Sequence, residues 1–209
     1  EVTEEMVSGY DSTTVGTKEV TVTYEDQTTT FTVTVIAREV TGIELDITEV
    51  TINKGTTQQL TATIKPEDAT NQKVIWKSSN ETIATVDGNG LVTAVSAGEV
   101  TITVESEYNG LTAECLVTVV IPVTGIKMNS SVANIEVDGT VQLSATIEPE
   151  DATNKNIIWN SLDETIAIVD QNGLVTGQGG EGNVTIVARS EDGGHIATCL
   201  VTLIDRTIV

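Results

Sequence analysis

The chain has 209 residues, with 31 acidic and 10 basic side chains and a formal net charge of −21. Such a field repels phosphate backbones and anionic lipid surfaces, so no nucleic-acid partner is expected. No apolar run approaches the roughly 18 residues that a membrane span needs, so this segment is not expected to insert into a membrane. Hydrophobic residues make up 39% but aromatics only 3%, so the apolar content is aliphatic, and Thr is frequent. Val, Ile and Thr are stiff at χ1 and fit a pleated surface, which predicts an all-β protein. The acids are spread over the whole length, so the charge belongs to every part of the surface and favours solubility. The chain opens at "EVTEEM" without an initiating Met. It reads as an excised fragment or a processed chain, a reading compatible with the earlier loss of a signal peptide.

In chain order, residues 1–39 predict one β-hairpin. "KEVTVTYED" and "TTTFTVTVIA" place Val20, Val22 and Tyr24 against Phe31, Val33 and Val35. A lone hairpin is marginally stable, so further strands or packing on the next unit are expected. Residues 40–121 then give a series of short alternating runs. "IELDI" opens it. "QQLTATI" alternates Leu60, Ala62 and Ile64 with polar neighbours. "KVIWKS" puts Val74 and Trp76 on one face. "TIATVD" and "LVTAV" flank a "DGNG" turn. "EVTITVE" and "LTAECLVTVV" complete the unit. Seven or more strands with frequent turn signals and no 3.6-residue period predict a two-sheet antiparallel sandwich with a Trp between the sheets.

Residues 122–209 repeat this pattern. "IKPEDATN" at 64–71 returns as "IEPEDATN" at 147–154, and from Ile64–Thr93 to Ile147–Thr176 the two stretches share 21 of 30 positions without a gap. A unit of about 83 residues is too long for a solenoid repeat and suits a small domain with its own core. The octet's Pro, Asp and Asn favour a turn joining the second and third main strands. The expected division is 1–39, 40–121 and 122–209. The junctions, "VTVIARE" into "VTGI" and "CLVTVVIP" into "VTGI", contain no Gly/Ser linker. An extended, semi-rigid arrangement is expected, with bending confined to residues 38–40 and 120–123.

"L-x-A-x-I-x-P-x-x-A-T-N", "I-W-x-S" and "E-T-I-A-x-V-D-x-N-G-L-V-T", each present twice, resemble the group 2 bacterial immunoglobulin-like domain over most of 40–120 and 123–204. Residues 1–39 resemble the C-terminal part of a group 3 domain. The resemblance implies an immunoglobulin-like β-sandwich from an extracellular bacterial or phage protein, with no catalytic residues to carry over.

Cys115 and Cys199 occupy equivalent positions, "AECLVTV" and "ATCLVTL", so they are expected as buried free thiols in two separate cores, without a disulfide. The only histidine, His195, reads as an ordinary loop residue. The adjacent carboxylates Glu67–Asp68 and Glu150–Asp151 do not have the cross-cleft spacing of a glycosidase pair. Asp87 and Asp170, in "DGNG" and "DQNG", are the calcium candidates, but they lack the alternating ligands and distal Glu of a calcium loop, and the same tetrad makes a tight hairpin turn. Both Trp are expected in cores, leaving Tyr10 and Tyr108 as isolated sugar-stacking candidates. The sequons "NET", "NSS" and "NVT" are expected to be coincidental.

The reading is therefore non-enzymatic: structural or adhesive modules acting as a stalk at a bacterial surface or in a secreted protein. The alternative is a pair of accessory modules of a secreted carbohydrate-active enzyme. Candidate partners are a host-surface or matrix protein or a glycan. No cofactor is expected beyond calcium, and the chain is expected to be a monomer. A ligand site unique to one module is expected where the copies diverge, at the loops within 105–114 and 189–198.

Overall fold

The computed structural model describes residues 7–9 and 13–204, and every regular element among them is a strand. Tyr10 lies outside the described residues. The N-terminal unit is β1 (Val7–Ser8), β2 (Gly16–Tyr24) and β3 (Gln27–Val35), paired antiparallel in that order. Val20, Val22, Tyr24, Phe31, Val33 and Val35 do share a face. Only Val20 and Phe31 stand directly opposite one another, whereas Val22 faces Thr29 and Lys18 faces Val33. Val20 is buried, while Tyr24 and Phe31 remain half exposed.

The first module comprises β4 (Gly42–Leu45), β5 (Glu49–Asn53), β6 (Thr57–Gln59), β7 (Ala62–Lys65), β8 (Val74–Ser78), β9 (Ala84–Val86), β10 (Leu91–Ala94), β11 (Gly98–Ser106) and β12 (Thr112–Val120). One sheet has the order β5-β12-β11-β8; facing it are β6-β10-β9 and the pair β4-β7. The second module repeats this with β13 (Gly125–Met128), β14 (Val132–Glu136), β15 (Thr140–Gln142), β16 (Ala145–Glu148), β17 (Ile157–Ser161), β18 (Ala167–Val169), β19 (Leu174–Gly177), β20 (Gly182–Ser190) and β21 (Ile196–Ile204), in matching pairings.

Two sequence expectations need correction. β5, which runs parallel to β12, was not anticipated. It exists because the first strand changes sheets: β4 pairs with β7, and after Asp46 the chain crosses to β12. Asp46 replaces the interrupted ladder, its Oδ1 accepting the Thr61 N–H at 2.7 Å while its own N–H donates to the Thr61 carbonyl. "QQLTATI" is likewise not one strand. It divides into β6, paired with β10, and β7, paired with β4. At the break, Leu60 is fully buried and its N–H donates to the Gly90 carbonyl.

Each module has its own core. Ile52, Leu60, Val92, Ile102, Cys115 and Val117 centre one; Ile135, Leu143, Trp159, Ile186, Cys199 and Val201 centre the other. The inward residues alternate along β12 and β21, as a sheet with one buried face requires. Cys115 and Cys199 are free, buried and in separate cores, as expected. Burial in an apolar setting pushes both thiols above their ordinary range, which leaves them unreactive.

Candidate functional site

The recurring octet turns out to be a fastening between units. Ile64 and Ala69 are buried against Val40 of the incoming chain, and Ile147 and Ala152 against Val123. Thr70 then exchanges two hydrogen bonds with the main chain of Arg38: its hydroxyl accepts the Arg38 N–H at 2.8 Å and its own N–H donates to the Arg38 carbonyl at 2.9 Å. Thr153 repeats the arrangement on Ile121, at 2.8 and 2.9 Å. One threonine therefore holds the entering strand as a neighbouring strand would.

At the second junction this leaves no slack. The Val120 carbonyl accepts the Lys54 N–H within the first module, and the next residue, Ile121, is held on both sides by Thr153 of the second. Lys54 also lies 3.8 Å from the Asp151 carboxylate, an exposed pair across the junction that adds little energy by itself. The residues expected to bend, 38–40 and 120–123, are the ones the clamps hold. Between β3 and the first clamp only Ile36 and Ala37 intervene, and Ile36 is 81% exposed.

The divergent loops are engaged here as well. The Asn109 side-chain amide donates to the Val40 carbonyl at 2.9 Å. In the second module, Asp192 Oδ2 accepts the Val123 N–H at 2.8 Å and His195 Nε2 donates to the Val123 carbonyl at 3.0 Å. His195 is thus not an idle loop residue: it and Asp192 together grip the residue after the junction. The sequence offered no signal for this, because the contact spans 72 positions. Glu191 accepts from the Asn154 and Asn156 side chains, which hold its carboxyl below the usual range. Val120, Ile121, Thr153, Asn154, Glu191 and Asp192 line one open cleft beside the junction.

Asp87 and Asp170 sit elsewhere, in the tight turns before β10 and β19. Oδ1 of Asp87 accepts the N–H groups of Asn89 and Leu91, both at 2.9 Å; that of Asp170 accepts those of Asn172 and Leu174 at 2.8 and 2.9 Å. Among the described residues, no group of three or more His, Cys, Asp or Glu is gathered to hold a metal ion. Glu67 and Glu150 are exposed and Asp68 pairs with Arg38 at 2.8 Å. Tyr108 is exposed.

The N–H donors, led by those of Leu91 and Leu174, hold the Asp87 and Asp170 carboxyls below their ordinary value of 3.8. A carboxyl depressed in the folded state contributes stability above its unfolded value, and that contribution is lost as pH falls through the folded one. Melting temperature is therefore expected to hold between pH 7 and about 5 and to fall below about 4. Replacing both Asp87 and Asp170 by Asn should make the acid limb shallower. Thermal melts from pH 7 to 2.5 check this, and an unchanged limb in the double variant would place the acid sensitivity elsewhere.

Family models match the chain along most of its length: the group 2 bacterial Ig-like domain at residues 39–117 and 122–201, and the group 3 bacterial Ig-like domain at 1–35. The chain belongs to the bacterial Ig-like domain family. An uncharacterized protein of Clostridium acetobutylicum is 32% identical to this Ig-like chain over 163 residues, covering 77% of it and 17% of the relative. An Ig-like virion protein of Serratia phage KSP90 is 36% identical over 154 residues, 70% of this chain and 59% of that one. An alpha-L-arabinofuranosidase of Bifidobacterium longum is 37% identical over 127 residues, 55% of this chain and 11% of the enzyme. The Ig-like modules thus span less than two thirds of each of these relatives. Such a distribution fits a structural or accessory module.

Proposed function

We propose that the chain is a non-enzymatic, monomeric stalk segment of an extracellular bacterial protein, cell-surface or secreted, which holds other parts of that protein at a distance. The observation that carries this reading is the second junction, where Val120 is bonded within one module and Ile121 within the next. A connection with no free residue transmits orientation instead of averaging it, unlike a Gly/Ser linker. The acidic surface keeps such a stalk soluble and apart from its copies.

Solution scattering tests this directly. A compact 209-residue chain has a radius of gyration of roughly 17 Å. Units joined end to end, each about 30–40 Å along its strands, give roughly 30 Å. The larger value is expected for the native chain, and Thr153→Val, which removes one of the two clamp bonds, should broaden the distance distribution. A radius near 17 Å would sink the stalk reading.

A second reading, accessory spacing within a carbohydrate-active enzyme, is favoured by the arabinofuranosidase relative. A catalytic domain elsewhere in the parent chain would select it; a wall anchor and further repeats would select a surface stalk. Adhesion to a host-surface or matrix protein or a glycan belongs to the first reading, and saturable binding to one class on an array would establish it. Because the divergent loops grip the junction, replacing them is expected to alter module orientation as well as any binding.

A further inference from the structure

β8 and β17 are edge strands of their sheets, each paired on one side only. An edge presents free N–H and C=O groups that invite another strand. The two modules treat this edge differently. In the second, the Gln171 side chain covers it: Oε1 accepts the Trp159 N–H at 3.2 Å and Nε2 donates to the Trp159 carbonyl at 3.1 Å. The Asn160 side chain also donates to the Ser161 carbonyl at 3.0 Å. Trp159 is 6% exposed.

In the first module all three covers are missing. Gly88 stands where Gln171 does, Lys77 stands where Asn160 does, and among the described residues the structure records no side chain bonding the Trp76 main chain. Lys77 is turned away from the edge, to Glu105 on β11. Trp76 is only half-buried. Beside it a groove of ≈ 220 Å³ runs between the sheets, lined by Thr61, Ala62, Val74, Trp76 and Gly88 among others. That is small for a drug-sized ligand, whose sites run from about 300 Å³ upward, and of a size to take single side chains of an extended chain.

We propose that the β8 edge of the first module is a strand-addition site for an extended segment of a partner polypeptide. Gln171 shows the chemistry the edge takes, since its carboxamide is an amide offering one donor and one acceptor, as a peptide main chain does. An added strand would bond the Trp76 N–H and C=O and turn alternate side chains into the groove over the indole. Main-chain bonds supply affinity in this mode, and the groove selects small or apolar side chains at every second position. The net charge of −21 disfavours an anionic segment and a second copy of this chain.

The test uses the full 209-residue chain against a random dodecapeptide library displayed on phage, with Gly88→Gln as the blocked form. Gly88 lies outside the left-handed region and a Cβ there meets nothing within 4 Å, so the variant is expected to fold and melt as the native chain does. Peptides with alternating apolar residues should be enriched on the native chain and shift tryptophan emission. They should bind Gly88→Gln at least tenfold more weakly, and Gln171→Gly should gain a second site. Failure to enrich any peptide, or equal binding to native and Gly88→Gln chains, overturns the proposal. Self-association that Gly88→Gln abolishes would also overturn it, by making the occupant a second copy.

Discussion

Replacing Gly90 by Ala is expected to destabilise the first module by about 3 kcal/mol. Gly90 has φ +83°, and a Cβ built on it falls 2.6 Å from the Leu60 carbonyl oxygen and 2.7 Å from the Trp76 ring. The left-handed conformation costs a non-glycine residue roughly 1–2 kcal/mol, and forcing a methyl into packed backbone and indole costs roughly 1–3 more. Because Leu60 also donates its N–H to the Gly90 carbonyl, backbone movement to relieve the clash would break the join between β6 and β10. For a unit of this size the loss corresponds to a melting shift of roughly 12–24 °C. Gly173→Ala should do the same to the second module, where the contacts are Leu143 O at 2.5 Å and the Trp159 ring at 2.9 Å. Gly88→Ala, two residues earlier, should be close to neutral. Calorimetry of the three variants decides it; a loss under 1 kcal/mol for Gly90→Ala would mean that the indole and β6 yield freely.

Trp159→Ala should cost the second module about 3–5 kcal/mol, and Trp76→Ala should cost the first module less. Truncating a buried aromatic loses its transfer energy and leaves a cavity. Trp159 is buried beneath Gln171, and its removal also strips the apolar support from Leu143, Ala167 and Ala188 in the same core. Trp76 lies beside the open groove, so part of its surface is already in water and solvent can enter the space it leaves. Denaturant unfolding of both variants supplies the comparison. Equal losses would indicate that the first module's edge is as well covered as the second's and would count against strand addition there.

Much of the fold was legible because alternation along a strand is a local property. Inward Cys115, Val117 and Val119 on β12, and their repeats on β21, follow from a period of two with one buried face. The "DGNG" and "DQNG" turns were legible for the same reason, since Asp reaches the N–H groups two and four residues on. β5 was missed because "EVTIN" is a strand only by virtue of a parallel partner some 67 positions away. "QQLTATI" was misread as continuous because its alternation runs on unbroken while its hydrogen-bond partners change from β10 to β4.

The repeat alone established two copies of one sandwich, a core in each and a charged surface all round, because copies of one pattern must bury the same positions. What the repeated octet is for was decided only in three dimensions. Thr70 and Thr153 are unremarkable loop residues in the sequence; they become clamps because folding brings them beside Arg38 and Ile121, each 32 positions earlier. The same holds for the exchange of Gly88 for Gln171, which as sequence is a change of turn residue. Its consequence, one edge covered by an amide and one left open beside a half-buried indole, depends on a contact between a turn and a strand 12 residues apart. Local periodicity encodes which face is buried; it carries no information about which distant group completes a hydrogen bond.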